Sequence, residues 1–293
     1  MLELHDITRS FGSRRVLHDV AFGVDEGKLT GFVGANGAGK TTTMRIILGV
    51  LSADAGTVTL NGTALTASDR RRFGYMPEER GLYPKMRVAE QLTYLARLHG
   101  LSQASAARNT ASLLERLDLT ERAGDAVEKL SLGNQQRAQI AAALVHDPEV
   151  LVLDEPFSGL DPIAVETVQA VLKEYAARGV PVLLSSHQLD IVERLCDDLV
   201  IIAGGRVAAS GTREQLRRQH TAPRYEVLLA GDAGWIRDEP GVAVIDFDGG
   251  YALFESDQDA AQRVLHSATA RGSVVSFAPL QPSLAQIFKE VIR

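Results

Sequence analysis

Leu29-Thr30-Gly31-Phe32-Val33-Gly34-Ala35-Asn36-Gly37-Ala38-Gly39-Lys40-Thr41-Thr42 is the stretch that decides how this chain is read. An apolar run enters it, glycines punctuate it at 34, 37 and 39, and a helix-like stretch continues to Leu48. Gly34 to Thr41 match the spacing G-x-x-x-x-G-K-[ST], in which glycines let backbone N–H groups curl around phosphate oxygens. In that pattern the lysine, here Lys40, reaches the β- and γ-phosphates, and the hydroxyl, here Thr41, ligates magnesium. A Gly/Ala-rich turn before an ordinary helix would explain the glycines, yet it gives no reason for Lys-Thr directly after them. A strand before and a helix after favour the phosphate reading, so a nucleoside triphosphate is the expected ligand.

Whole-chain properties bound the reading further. At 293 residues the chain can bury a large core, and its length suggests two domains. With 31 Lys and Arg against 37 Asp and Glu, a net charge of −6, nucleic acid is not expected as a partner. Arg70-Arg71-Arg72 reads as a solvated face. The single cysteine, Cys196, excludes an internal disulfide, and its apolar neighbours Ile191, Leu195 and Leu199 suggest core rather than catalysis. No run approaches the roughly 18 apolar residues of a membrane span, and Met1 to Asp6 resemble no signal peptide. The chain is therefore expected to be cytosolic, attached to a membrane only through a partner.

Four stretches follow along the chain. Up to Val33, β-like runs such as Leu2-Glu-Leu4 and Leu17 to Val24 surround the turn Phe11-Gly12-Ser13 and predict a mixed sheet. From about 86 to 146 the spacing becomes helical, with Val88, Leu92, Leu95 and Leu98, then Leu113, Leu114 and Leu117, then Ile140 to Val145. Between 149 and 210, the apolar runs Val150 to Leu153 and Val180 to Leu184 enclose a helical stretch from Ile163 to Ala177, as parallel strands joined by a crossover helix would. After Thr221-Ala-Pro223 the texture becomes a small α/β appendix: β-like runs 224–230, 242–247, 251–254 and 273–278, a helical stretch 257–271 and a terminal helix from Pro282. No catalytic grouping stands in that appendix, which reads as an accessory or dimerisation domain.

Val150-Leu-Val-Leu-Asp154-Glu155-Pro156 is the second chemical element. Four apolar residues ending in two carboxylates describe a buried parallel strand whose carboxyl edge delivers both acids where α/β sheets bind ligands. Asp154 suits a magnesium shell, acting through the metal's water ligands, and Glu155 suits a general base for the attacking water. A turn with a helix cap is the alternative for two adjacent acids; the phosphate loop favours chemistry.

Leu130-Ser131-Leu132-Gly133-Asn134-Gln135-Gln136-Arg137 then resembles the LSGGQ signature of ATP-binding cassette (ABC) ATPases, with Leu132 and Asn134 in place of the usual Gly and Gln. Physically it is an anion site, combining a hydroxyl, a glycine and a helix N-terminus, although Ser131 can equally cap that helix. The resemblance covers residues 1 to about 215 and implies an α/β P-loop NTPase cassette, a mixed sheet core with a helical subdomain at about 86–146, and a separate C-terminal α/β domain over 220–293.

The resemblance also implies roles for single residues. Phe11 looks like the aromatic that stacks on adenine, with Val16 on the same face; Gly34 to Thr42 hold the phosphates of ATP. Ser158-Gly-Leu-Asp161 looks like the D-loop and His187 like the switch histidine at the γ-phosphate. Glu78 stands where the family has the glutamine of its Q-loop. There it either joins Thr41 and Asp154 in the Mg2+ shell or pairs with Arg80, or with a basic residue of a partner, and serves coupling.

In this family Ser131 and Gly133 close on phosphates held by another subunit, so the resemblance implies a homodimer, or a heterodimer with a second ABC ATPase. It also implies integral membrane permease subunits that dock near Glu78 to Met86, and a place on the cytoplasmic face of a bacterial membrane. Pro77-Glu-Glu-Arg-Gly-Leu-Tyr83 and Pro282-Ser-Leu-Ala-Gln-Ile-Phe288 are similar to ATPase subunits of bacterial exporters linked to sodium or drug efflux. The alternative is a soluble ABC ATPase acting on DNA or ribosomes; the absence of sustained heptads in 42–129 and of a second cassette weighs against it.

Overall fold

Alternation of buried and exposed residues is broken early in the chain, and that break shapes the first sheet. In the computed structural model, which describes residues 1–79, 81–220, 223–280 and 283–292, two compact units form, Met1–Gly211 and Thr212–Arg293. Arg80, the stretch Thr221-Ala222 and the helix start expected at Pro282 lie outside the described residues.

The first unit begins with β1 (Leu2–Phe11), β2 (Arg14–Val24), β3 (Leu29–Val33), α1 (Lys40–Ile47), β4 (Ala55–Leu60), β5 (Thr63–Ala64), α2 (Ala67–Arg70) and β6 (Phe73–Met76). It continues with α3 (Val88–Leu98), α4 (Gln103–Arg116), α5 (Leu132–Leu144), β7 (Val150–Leu153) and α6 (Pro162–Ala177). It ends with β8 (Val182–Ser185), α7 (Leu189–Leu195), β9 (Asp198–Ala203) and β10 (Arg206–Thr212).

Strands β2-β1-β4-β5 make an antiparallel sheet, in which β1 and β2 meet at Phe11↔Arg14 around a turn whose Gly12 has φ 60°. Register shifts interrupt β1, and Asp6 and Asp19 adopt positive φ. Both strands are therefore longer than the alternating runs Leu2 to Leu4 and Leu17 to Val24 suggested.

A second sheet has the order β10-β9-β3-β8-β7-β6, and β9, β3, β8, β7 and β6 run parallel. Every residue of β3, β7 and β8 is buried, as expected for strands covered on both faces. Helix α1 links the two sheets into one core: Met44, Ile46 and Ile47 pack with Leu4, Ile7, Leu17 and Val58 of the antiparallel sheet and with Phe32, Val152 and Val200 of the parallel one. Phe22 and Phe32 face each other across it at 5.2 Å.

Three helices, α3 to α5, form the insert. In α3, Val88, Leu92 and Ala96 are buried, whereas Leu98, expected on the same stripe, is exposed. The Arg70 to Arg72 cluster is not a uniformly solvated face. Arg70 is half-buried and donates to Ile47 O at 2.9 Å and Leu65 O at 3.0 Å, so a cation stands against the last carbonyl of α1. Arg72 is exposed and paired with Asp69 and Glu149. Cys196 is buried.

The second unit comprises α8 (Arg213–His220), β11 (Arg224–Leu229), β12 (Val242–Asp248), β13 (Tyr251–Ser256), α9 (Gln258–Arg271), β14 (Val274–Leu280) and α10 (Leu284–Ile292). Its antiparallel sheet has the order β12-β13-β11-β14 and buries Val227, Ala252 and Phe254 with Ala261, Val264 and Ala268 of α9.

Parallel pairing has a direct consequence for chemistry. Because β3, β8, β7 and β6 are adjacent and point the same way, the residues that follow them, Gly34, Ser186-His187, Asp154-Glu155 and Pro77-Glu78, emerge along one sheet edge.

Candidate active site

The loop between β3 and α1 is built from backbone. At Gly34 a Cβ would lie 2.5 Å from Ile202 O, so only glycine lets the chain turn this close to β9. Gly39, at φ 113°, starts α1 with no side-chain cap, which leaves the first N–H groups of the helix directed at the loop. Lys40 is buried, and its Nζ donates to Gly34 O at 2.7 Å and Ala35 O at 3.4 Å. No carboxylate pairs with it among the described residues, so its charge is available to an anion at the loop.

Register then sets the acids. Leu153 stands opposite Leu184 and Met76, so Asp154 comes level with Ser185, and its N–H donates to Met76 O at 2.8 Å. The Asp154 carboxylate is buried and accepts from Ser185 Oγ at 2.5 Å and from Thr41 Oγ1 at 3.0 Å. Glu155 turns away at φ 53°, a left-handed conformation costly for a side chain with a Cβ. Ser185 Oγ accepts the Glu155 N–H at 2.9 Å, and Gln136 Nε2 of α5 donates to Glu155 O at 2.9 Å. This turn aims the Glu155 carboxylate at His187, whose Nδ1 lies 2.8 Å from Oε2. Glu155 is thus held on its backbone while one carboxylate oxygen faces a solvent-exposed imidazole.

A cleft of about 370 Å3 brings Phe11, Arg14 and Val16 together with Asn36, Gly37 and Gly39 to Thr42 of the loop and with Glu78, Asp154 and Glu155. Phe11 is 48% exposed, and its aromatic side chain offers a flat wall to a base. Gln139 of α5 donates to Pro77 O at 2.6 Å and Glu79 O at 3.2 Å, holding the segment that carries Glu78. On β6, burial first and the Asp154 charge second push the Tyr75 phenol above its ordinary pKa, so it stays protonated beside the acids. Among the described residues no three His, Cys, Asp or Glu side chains converge as a metal cage. A hydroxyl and a carboxylate side by side, Thr41 and Asp154, with Glu78 on the same cleft, are the hard-oxygen donor set that suits Mg2+ when the remaining ligands are phosphate oxygens and water.

Ser131, Gly133 and Asp161 do not line this cleft. Ser131 caps α5 by accepting from Asn134 N at 3.3 Å, and Asp161 caps α6 by accepting from Ala164 N at 2.8 Å. Leu132 is exposed between Ser131 and Gly133, and Arg137 holds the helix by bonding Leu117 O and Asp118. Sequence reasoning gave no role to Ser185, Gln136, Gln139 or Arg14. Only their places in or beside recognised strings, such as Ser185 at the end of an apolar strand, pointed toward the site.

Residues 17–158 match a family model described as "ABC transporter", and residues 211–292 match one described as "ATP-binding protein DrrA1-3-like, C-terminal domain". An uncharacterized ABC transporter ATP-binding protein of Bacillus subtilis, YhaQ, is 36% identical over 293 residues, which is 100% of this chain and 98% of that protein. Nod factor export ATP-binding protein I of Burkholderia orbicola is 36% identical over 241 residues, covering 81% of this chain and 79% of its own length. A solved structure titled as the ATP binding subunit of an ABC transporter superposes with a TM-score of 0.70 at 37% identity, covering 75% of this chain and 92% of that one.

Proposed function

The chain belongs to the ATP-binding proteins of ABC transporters and is an ATPase, and on that premise we propose that two copies share each MgATP between them and drive export through separate membrane-spanning subunits. One observation carries the shared-site reading: the cleft holds the phosphate loop, both acids and Phe11, while Ser131 and Gly133 stand elsewhere, on an exposed helix tip. Membership of the transporter family disfavours a soluble ATPase working on DNA or ribosomes. Among the described residues no helix is long and apolar enough to cross a membrane, which fits a peripheral subunit on the cytoplasmic face. The C-terminal unit, in which the sequence places no catalytic grouping, is read as accessory.

In this mechanism Phe11 and Val16 receive the base, and the loop N–H groups with Lys40 grip the β- and γ-phosphates. Thr41 and, through water, Asp154, with Glu78 beside them, would hold Mg2+, which would supply neutralisation of phosphate charge. Ser185 and Thr41 fix the Asp154 carboxylate, so it does not need to reorganise as charge develops. Glu155 takes the proton of the attacking water, and His187 orients that carboxylate and reaches the γ-phosphate. From the second protomer, Ser131 Oγ and the α5 N-terminus close on the γ-phosphate. Hydrolysis breaks the bridge between the two gripping halves, so the dimer opens.

Replacing the base while keeping its shape tests this reading. Glu155→Gln is expected to lower turnover by about 10²- to 10⁴-fold and to make the protein elute as a dimer when ATP is present. Wild-type turnover by that variant would remove Glu155 from the base role.

A further inference from the structure

Phe11 is not a lone platform. Two residues before it on β1, Arg9 places its guanidinium carbon 5.0 Å from the Phe11 ring centroid. Arg9 is itself fixed: its Nη1 donates to Asp54 Oδ1 at 2.9 Å, and only 24% of its side chain is exposed. Asp54 also accepts the Ser10 N–H at 2.6 Å, and its own N–H donates to Thr8 O at 2.8 Å. These bonds fall where the β1 ladder is irregular, between Ile7 and Ser10, so they supply an order that the strand pairing leaves out. The Nε of Arg9 is buried and bonds nothing among the described residues. The position of Arg9 is therefore set by the Asp54 bond and by the aromatic ring.

We propose that Arg9, held by Asp54, is a positioning residue for nucleotide recognition: it packs against one side of Phe11 and leaves the ring open to the purine. The inference rests on Phe11 being the base platform and adds a second layer behind it. A cation against one face of the ring draws π density toward itself and leaves the opposite face less repulsive to the π electrons of adenine. It also restrains a ring that is otherwise half in solvent, lowering the order that ATP must impose on binding. Asp54 lies in the segment that leads from α1 into β4, so the clamp ties the base platform to the helix that begins at the phosphate loop.

The test separates base recognition from phosphate recognition in the full-length protein, using MgATP and inorganic tripolyphosphate as probes. Arg9→Ala is expected to weaken MgATP about 3- to 10-fold while tripolyphosphate affinity stays within about twofold, and Arg9→Lys, which keeps a cation, loses less. Asp54→Asn keeps the Ser10 acceptor and is expected to show a smaller loss of the same base-selective kind; it carries the test if Arg9→Ala fails to fold. In a Phe11→Ala background, Arg9→Ala should add nothing, because the ring through which it acts is gone. Equal losses for both ligands, or full additivity with Phe11→Ala, would overturn the inference and leave the platform itself intact. Phe11→Ala binding MgATP like wild type would instead remove the platform, and the inference with it.

Discussion

The cleft at the carboxyl edge of the parallel sheet and the tip of α5 are made in contrasting ways. In the cleft, Lys40 and Asp154 are buried, and hydrogen bonds from residues far apart in sequence fix Asp154 and Glu155. At the tip, Ser131 and Leu132 are exposed, and Ser131 Oγ accepts a bond from the Asn134 N–H of its own helix. On the proposed shared-site reading, the difference teaches that this fold completes half of a catalytic site and leaves the other half as a surface. That reading requires a second copy to supply what the first lacks.

Variants that strike one half and spare the other can break the comparison. Lys40→Ala acts on the cleft and is expected to cost more than any change at the tip, about 10²- to 10³-fold in turnover with weaker ATP binding, measured by phosphate release and by nucleotide titration. Gly133→Asp acts on the tip. Its Cβ would meet Gly159 O at 3.5 Å, an ordinary contact, and an acid in the first turn of α5 favours the helix, so folding is preserved. A carboxylate there repels the γ-phosphate of the facing subunit, so turnover should fall about 10- to 100-fold while nucleotide affinity of the single chain stays within about twofold. Loss of affinity in step with turnover would mean that the tip belongs to the cleft of its own chain.

Ser185→Ala sharpens the account of the cleft. It removes a donor to the buried Asp154 and an acceptor of the Glu155 N–H. A loss of about 1–3 kcal/mol of stability is expected, visible as a lower Tm. An unchanged Tm would show that the serine does not hold the acids.

A smaller effect concerns the contact that seats the helical insert against the sheet. His99 and His146 stack at 3.7 Å, His99 Nδ1 lies 2.9 Å from Arg71 O, and His146 Nε2 lies 3.2 Å from Phe73 O. Burial, then the His99 charge, lowers the His146 pKa to about 4. Between that value and the ordinary 6.5 the unfolded chain binds more protons, so the neutral imidazole's contribution is fully present above pH 6.5 and is lost as pH falls toward 4. After discounting for partial solvent contact, the window is worth about 1–2 kcal/mol. His146→Asn should flatten the melting curve between pH 7 and 4.5 relative to wild type, and an unchanged slope would assign the acid sensitivity elsewhere.

Local strings made much of the site legible. The glycine spacing before Lys40 and the apolar run ending in Asp154 are continuous in sequence, and both identify a phosphate-handling sheet edge without tertiary information. Ser185 was invisible in this sense because its role depends on the parallel register that sets β8 beside β7, which no local pattern reports. Gln136 and Gln139 stood within or just after the signature string, yet their amide bonds reach Glu155 and the Pro77–Glu79 segment only once α5 docks on the sheet. In the first sheet, bulges at positive-φ aspartates broke the two-residue period, so β1 and β2 read shorter than they are. Arg70 read as solvated because a run of three arginines hides the one that turns inward to the end of α1.

Mixing two impaired chains, each assayed alone for its residual activity, tests the shared site most directly. Lys40→Ala spoils only the cleft and Gly133→Asp only the tip, so a mixed dimer restores one site with both halves intact. An equimolar mixture is expected to regain about a quarter of wild-type ATPase activity, since half of randomly formed dimers are mixed and each carries one working site of two. No recovery at any mixing ratio would contradict a site shared between two copies of this chain.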